Sequence, residues 1–344
     1  MSFKTEKREF IKRYMLEKIY ENRDEVVNST ADVFDISLNT VYRYLKELIG
    51  DNVIIKTNAG YALVQKKDYI SLSRSKDELK SEDVIYDRYV KKYVDIFDNN
   101  IIKIWQYAFM EMMNNAIDHS LAENVDIVIL QNYINTTILI IDDGIGIFKK
   151  IKDYFNYETL DDAVDELFKG KLTTDSYNHS GEGIFFTSHI LDRFAAISNS
   201  RIFTHDKYPE MVNSIENIEM LNRWKDLKGT IILMELSNFS KKNLEEVFDM
   251  FSTVDGGFAK TRIPIKNIFE TYPVSRSQAK RLCQRFEKFK EIELDFDEID
   301  DIGQGFAHEI FVVFQRNNPE IKLIPVNANT SVEKMIKHVK ATVL

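Results

Sequence analysis

A single cysteine, Cys283, stands in 344 residues. That excludes an intrachain disulfide and a thiolate metal cage. No apolar run approaches the roughly 18 residues of a membrane span. The first ten residues, Met1 to Phe10, mix charges of both signs and lack the apolar core of a secretory leader. The cytoplasm is the expected compartment. Repeats and low-complexity tracts are missing as well. So is a Gly-x-x-x-x-Gly-Lys-[Ser/Thr] phosphate loop: the nearest stretch, Phe168-Lys-Gly170-Lys171-Leu, lacks the first glycine and the hydroxyl. His119 and His189 stand singly on helical stretches, so no histidine-rich metal site is expected.

What is present describes a soluble globular chain, with 44% hydrophobic and 29% charged residues. The length suggests two or three domains, each large enough to bury a core. A net charge of −9 argues against a chain-wide nucleic-acid coat. Residues 1–67 nevertheless hold 12 Lys+Arg against 10 Asp+Glu, so the acidity lies downstream.

The fold class expected is α+β and multidomain. Residues 6–64 read as three helices and a hairpin, with Phe10, Ile11, Tyr14, Met15 and Ile19 at helical spacing. Ser37 is placed to cap a third helix, Leu38 to Ile49, that buries Val41, Leu45, Leu48 and Ile49. Asn39, Thr40, Tyr42, Arg43 and Lys46 then face outward. Two short strands around Asn58-Ala-Gly60 follow. This order resembles the winged helix-turn-helix of bacterial transcription factors, with a domain at 1–66. The resemblance implies base and phosphate contacts from those five residues, with Lys56 on the wing. A dimer or protein-docking module is the competing reading.

Lys66 to Asp83 reads as a linker or an exposed helix entry. Helices from Asp83 to about Asn99 and from Ile101 to about Leu121 come next. Val125–Leu130 and Thr136–Asp142 read as strands, the second apolar enough to be central. Residues 150–180 read as a mobile cover with one helix at Leu160–Phe168. A helix after Gly183 and strands at Ala195–Ser198 and Thr230–Leu236 follow.

Three short segments carry chemistry. Glu111 and Asn115 lie one helical turn apart. A carboxylate there can orient a water or act as base. An amide oxygen suits Mg²⁺, which also binds phosphate oxygens. An amphipathic helix with two edge polars is the plain alternative. Asp142 ends the apolar strand, and Gly144 and Gly146 let a base and the backbone approach closely; a simple Asp-Gly turn competes. Gly181 and Gly183 open a helix whose free N–H groups suit phosphate. Lys171, Thr173, Thr174, His179 and Ser180 lie upstream and could reach it, or could be solvated loop residues. Thr230, after Gly229, could bridge Asp142 and a base through water, or serve as a β-former.

In that order, Glu-x-x-x-Asn, Asp-x-Gly-x-Gly, Gly-x-Gly and Gly-Thr resemble the N, G1, G2 and G3 boxes of the GHKL ATPases. That family spans gyrase B subunits, chaperones, histidine kinases and anti-sigma-factor kinases. The match covers about residues 82–237 and is nearest the anti-sigma-factor kinases. It implies a Bergerat α/β sandwich binding ATP and Mg²⁺. Asn115 would bind the metal, Glu111 would act as general base and Asp142 would hold adenine. The turns at Gly144, Gly146, Gly181 and Gly183 would line the nucleotide, with Lys171, His179, Ser180 and Thr230.

Residues 257–344 resemble STAS-like domains, through the strand Leu294-Asp-Phe296 and the turn Asp300-Asp-Ile-Gly303-Gln304-Gly305 before a helix. Phosphorylated members carry a serine in that turn, whereas Gln304 cannot take a phosphoryl ester. A docking or sensing role for a protein partner follows. The stripe Arg276, Lys280, Arg281 and Arg285 reads as a solvated face. Two functions are expected to compete. One is an ATP-responsive regulator acting through DNA or a partner, compatible with a homodimer. The other is a serine/threonine kinase of the anti-sigma type acting on a separate STAS partner.

Overall fold

The computed structural model describes the chain except residues 1–2, 22–24, 173–180, 208–209, 213–214, 216–217, 219–220, 222–225, 227, 253–256, 270–271 and 342–344. Helices and several sheets make it an α+β protein. It divides into two compact units. The first comprises residues 1–143, 191–193 and 231–241, the second residues 144–190, 194–230 and 242–344.

The first unit opens with α1 (Phe3–Tyr20), α2 (Val26–Phe34) and α3 (Leu38–Gly50), then the antiparallel hairpin β1 (Ile54–Thr57) and β2 (Gly60–Leu63). Ser37 caps α3 as expected, its side chain accepting from the Thr40 N–H. Ile11, Met15, Leu16 and Ile19 of α1 bury against Val41, Tyr44, Leu45 and Leu48 of α3. Two expectations shift. Phe10 is 65% exposed and Ile49 41% exposed, while Tyr44 is buried. At about 100° per residue, Val41, Tyr44, Leu45 and Leu48 form one stripe and Ile49 falls on its flank.

The expected linker at 66–83 is in part a strand, β3 (Lys66–Ser73), antiparallel to β4 (Asn124–Gln131) from Lys66↔Gln131 to Ser73↔Asn124. Asp68 hid the alternation, because it occupies an inward position. There its carboxylate accepts from the Tyr93 hydroxyl at 2.6 Å and from Lys92 at 3.4 Å. Short helices α4 (Glu82–Ile85) and α5 (Lys91–Val94) flank a π-helical turn, Tyr86–Val90. Then come α6 (Asn99–Asn114), continued by a second π-helical turn, and β5 (Asn135–Asp142). The sheet of this unit runs β3-β4-β5-β8, where β8 spans Thr230–Ser237 and joins the unit from Ile231 onward. Ile134, in the β4–β5 turn, and Phe239, beyond β8, pack into the core of the N-terminal helices. Tyr20 of α1 accepts from Asn135 Nδ2 at 2.7 Å and donates to Glu235 at 3.2 Å. The three-helix module is therefore welded to the sheet rather than tethered.

The second unit holds α7 (Ile147–Phe155), which the sequence reading missed, and α8 (Leu160–Lys169). A reciprocal capping box of Thr159 and Asp162 starts α8. Next come α9 (Gly183–Ile190) and the antiparallel pair β6 (Arg193–Ser198) and β7 (Arg201–Phe203). After α10 (Leu244–Met250), β9 (Lys260–Pro264) leads to α11 (Arg276–Leu282) and β10 (Glu291–Asp295). Arg285, at φ 65, ends that helical stretch earlier than the expected Phe289. Then follow α12 (Gln304–His308), prolonged by a π-helical stretch Glu309–Phe314, β11 (Lys322–Val326) and α13 (Thr330–Ala341). The strands form a parallel sheet in the order β11-β10-β9. Among the described residues no helix is long and apolar enough to cross a membrane.

Candidate functional site

In the first unit, Glu111 and Asn115 sit half-buried at the end of α6, whose opposite sector buries Ile104, Trp105, Ala108, Phe109, Met112 and Met113. Asn115 begins the π-helical turn Asn115–His119, and its backbone N–H reaches both Glu111 and Met112 carbonyls. Such π turns widen a helix locally and recur at functional sites. Asp142 is the last residue of β5, opposite Val125, and is only 4% exposed. An apolar strand thus delivers a carboxylate to a dry position.

The sequence reading passed over the next residue. The Asp143 carboxylate accepts from the N–H groups of Glu123 and Asn124, both at 2.9 Å, and from Asn124 Nδ2 at 2.8 Å. Burial alone would raise its pKa, but these donors outweigh it and hold the acid below its ordinary range. Asp143 ties the end of β5 to the loop leaving the Asn115 helix. An Asp-Asp-Gly run was the available signal.

In the second unit, Gly146 adopts φ 83 and caps α7. A Cβ there would lie 2.5 Å from Ser198 Oγ and 2.6 Å from the Lys228 carbonyl, so only glycine fits. The next residue, Ile147, donates its N–H to Thr230 Oγ1 at 3.0 Å. Ser198 Oγ donates to the Gly229 carbonyl at 2.7 Å. The turn after β5 and the Gly-Thr pair, 83 residues apart, therefore meet directly. Thr230 accepts one bond and keeps its O–H free to donate elsewhere. Gly144 opens the same turn.

Gly181 stands at φ 72 against the Leu172 backbone, and its carbonyl accepts from Leu172 N–H at 3.1 Å. Gly183 begins α9. His179 and Ser180, with Thr173 and Thr174, lie outside the described residues. The Lys171 ammonium donates to the Lys288 carbonyl at 3.0 Å and lies over the rings of Phe258 and Phe289. Burial there lowers its pKa.

Around α8 the structure bears out the reading of the arginine stripe as a solvated face for Arg276, Lys280 and Arg281 and departs from it at Arg285. Arg276, Lys280 and Arg281 are exposed. Arg281 meets Asp162 at 3.4 Å, and Arg285, with a side chain only 10% exposed, pairs with Glu166 at 2.7 Å. Lys169, 1% exposed, is bonded to Glu166. Beside them, burial pushes the Asp165 carboxyl up to about 7. No sequence spacing announced the ties of Arg281 and Arg285 to α8, because those partners lie 119 residues apart in the chain.

On α3, Asn39, Tyr42, Arg43 and Lys46 are exposed. Thr40 is half-buried and its hydroxyl is bonded to Ser37 at 3.0 Å. The Arg43 guanidinium lies 5.3 Å from the centre of the Tyr44 ring.

Among the described residues no group of three or more His, Cys, Asp or Glu is placed to hold a metal ion. Asn115 offers a single amide oxygen. That donor set suits Mg²⁺ arriving with phosphate oxygens and waters rather than a resident protein-caged ion.

In the C-terminal part, Gly303 caps α12, and a Cβ on it would lie 2.5 Å from the Val274 carbonyl. Gln304 is the first residue of that helix. Residues 278–333 match the model of a STAS-like domain of unknown function (DUF4325). No curated protein matches the chain. Residues 278–333 are thus STAS-like.

Proposed function

We propose that the chain is a magnesium–ATP-binding regulator of the GHKL type. Nucleotide occupancy would alter what its winged-helix-like N-terminal module and its STAS-like domain engage. Asp142 holds the adenine amino group, Asn115 binds Mg²⁺ carried on the phosphates, and Glu111 orients water or acts as base. Gly144, Gly146, Gly181 and Gly183 let backbone approach the nucleotide, with Lys171 and Thr230 as further contacts. Outward Asn39, Tyr42, Arg43 and Lys46 meet DNA. ATP acts by shifting a population between two arrangements.

One observation carries this reading: the Ile147 N–H bond to Thr230 Oγ1 at 3.0 Å. It joins two of the four segments that the resemblance requires to converge. The buried Asp142 and the π-helical turn at Asn115 support it.

Calorimetry with Mg-ATP tests the reading. The parent chain binds; Asp142→Asn abolishes binding; Asn115→Ala loses its magnesium dependence; Glu111→Ala binds without turnover. No heat from the parent chain sinks the proposal. Labelled ATP then separates the two modes of action. Free phosphate with an ATP-dependent DNA shift marks the regulator, and label on a separate STAS protein marks a kinase. The residue at the usual acceptor position, Gln304, has no hydroxyl, so label within this chain's own domain is not expected there.

A further inference from the structure

The stretch that ends α8 is held by the STAS-like domain and its flank to a degree that helix packing alone does not need. The ammonium of Lys169 has three protons and three acceptors. These are the Glu166 carboxylate and the carbonyls of Arg281 at 3.2 Å and Gln284 at 3.1 Å, where α11 ends. The second Glu166 oxygen takes Arg285 at 2.7 Å. The other arm of Arg285 donates to the carbonyls of Gly170, at 3.1 Å, and Lys171. Thr261 Oγ1 donates to the Lys169 carbonyl at 2.8 Å. Three consecutive carbonyls, 169 to 171, are thus tied to β9 and to the segment after α11.

Between them, Gly170 stands at φ 79, where a Cβ would press to 2.7 Å from Phe258 and 2.8 Å from Phe185. The seat admits no other residue. At its end the Lys171 ammonium is committed to the Lys288 carbonyl and two aromatic faces.

A buried charge network of this kind is a poor source of stability, because desolvation offsets most of the attraction. Apolar residues would fill the same space at no greater cost. What it does supply is an arrangement that forms or breaks as a unit, since removing any member leaves another charge buried alone.

We propose that Lys169, Glu166 and Arg285 are positioning residues that latch Lys171 onto the STAS-like domain, so that nucleotide phosphate must compete with the latch. This rests on the reading of Lys171 as a phosphate contact. An arrangement that withholds a phosphate contact lowers apparent affinity by the fraction of molecules in which it is closed. Breaking the latch therefore tightens ATP binding, the opposite of what simple structural damage does.

The test uses the full chain in three forms: parent, Thr261→Val, and the matched apolar replacement Lys169→Met/Glu166→Leu/Arg285→Met, with folding checked by circular dichroism. Calorimetry with Mg-ATP is expected to show roughly two- to threefold tighter binding for Thr261→Val and about fivefold or more for the triple variant. Hydrogen exchange without nucleotide is expected to run at least about tenfold faster across 166–172 in the triple variant. If the triple variant does not fold, Thr261→Val decides alone. Equal or weaker affinity in the folded variants overturns the proposal. No nucleotide binding by a parent chain whose exchange shows the latch intact defeats the nucleotide site and, with it, the competition. Binding by the parent with slow, unchanged exchange in the variants defeats the latch only.

Discussion

The backbone N–H of Ile147 and the hydroxyl of Thr230 are joined at 3.0 Å, across 83 residues of chain. Thr230 is 5% exposed, so the donor it satisfies has no ready water to replace it. Thr230→Val keeps shape and removes the acceptor, which costs about 1–3 kcal/mol for a buried group left unpaired. The expected outcome is a Tm lowered by several degrees and, for the proposed site, a weaker Mg-ATP affinity. Thr230→Ser restores most of both. Thermal melts and calorimetry on the pair check this, and a Val variant indistinguishable from the parent refutes it.

Gly146 fixes the same turn by having no side chain. In Gly146→Ala the methyl would meet Ser198 Oγ at 2.5 Å and Asn199 Oδ1 at 2.6 Å, at a φ of 83 that L-residues avoid. Strain of about 1–3 kcal/mol plus displaced polar groups should lower the midpoint in urea without changing its slope. Gly257, at φ 84 with open space around it, is the control and should lose less.

Asp165 sets a pH dependence with a definite sign. Burial, reinforced by Asp162 and Glu166 and opposed by Lys169 and Arg281, raises its carboxyl from 3.8 to about 7. The folded chain holds this proton more tightly than the unfolded chain. Its contribution is therefore complete below about pH 4 and is lost as pH rises through 7. Asp165→Asn should remove that loss, so the difference in Tm moves in favour of the variant between pH 5 and pH 8. A difference that stays flat over this range would show that Asp165 does not titrate there.

For α3, exposed Arg43 and Lys46 are the phosphate-contact candidates. Each replacement by Ala should weaken binding to any duplex alike and reduce the slope of log affinity against log salt by about 0.9. Asn39→Ala should instead relax sequence preference at one position. Electrophoretic mobility shifts over a salt series separate the two effects. Failure of the parent chain to bind any duplex leaves the module as a protein-docking unit.

The sequence made most elements legible. Apolar spacing gave α6 together with its π-helical turn, β4 and β5 to within a residue or two, and Ser37 gave the start of α3. β3 was hidden because Asp68 sits on its inward side, made tolerable by Tyr93. That compensation is invisible without the fold. β7 is too short, at three residues, to carry a period.

The site divides in the same way. Glu111, Asn115, Asp142 and the glycines announce themselves by type and local spacing, because backbone geometry over one turn follows from chain chemistry. The tie of Ile147 to Thr230 and the pairing of Glu166 with Arg285 do not.

By itself, then, the sequence determined the helices and strands, the caps, the glycine turns and the residue types that suit a nucleotide. Only the tertiary structure decided that Arg285 turns inward to α8, that Lys171 is engaged by a carbonyl, and that the N-terminal helices share a core with the β4–β5 turn. Local order rests on nearest-neighbour sterics and periodicity. The burial of Arg285 depends on Glu166, 119 residues away, which no local pattern encodes.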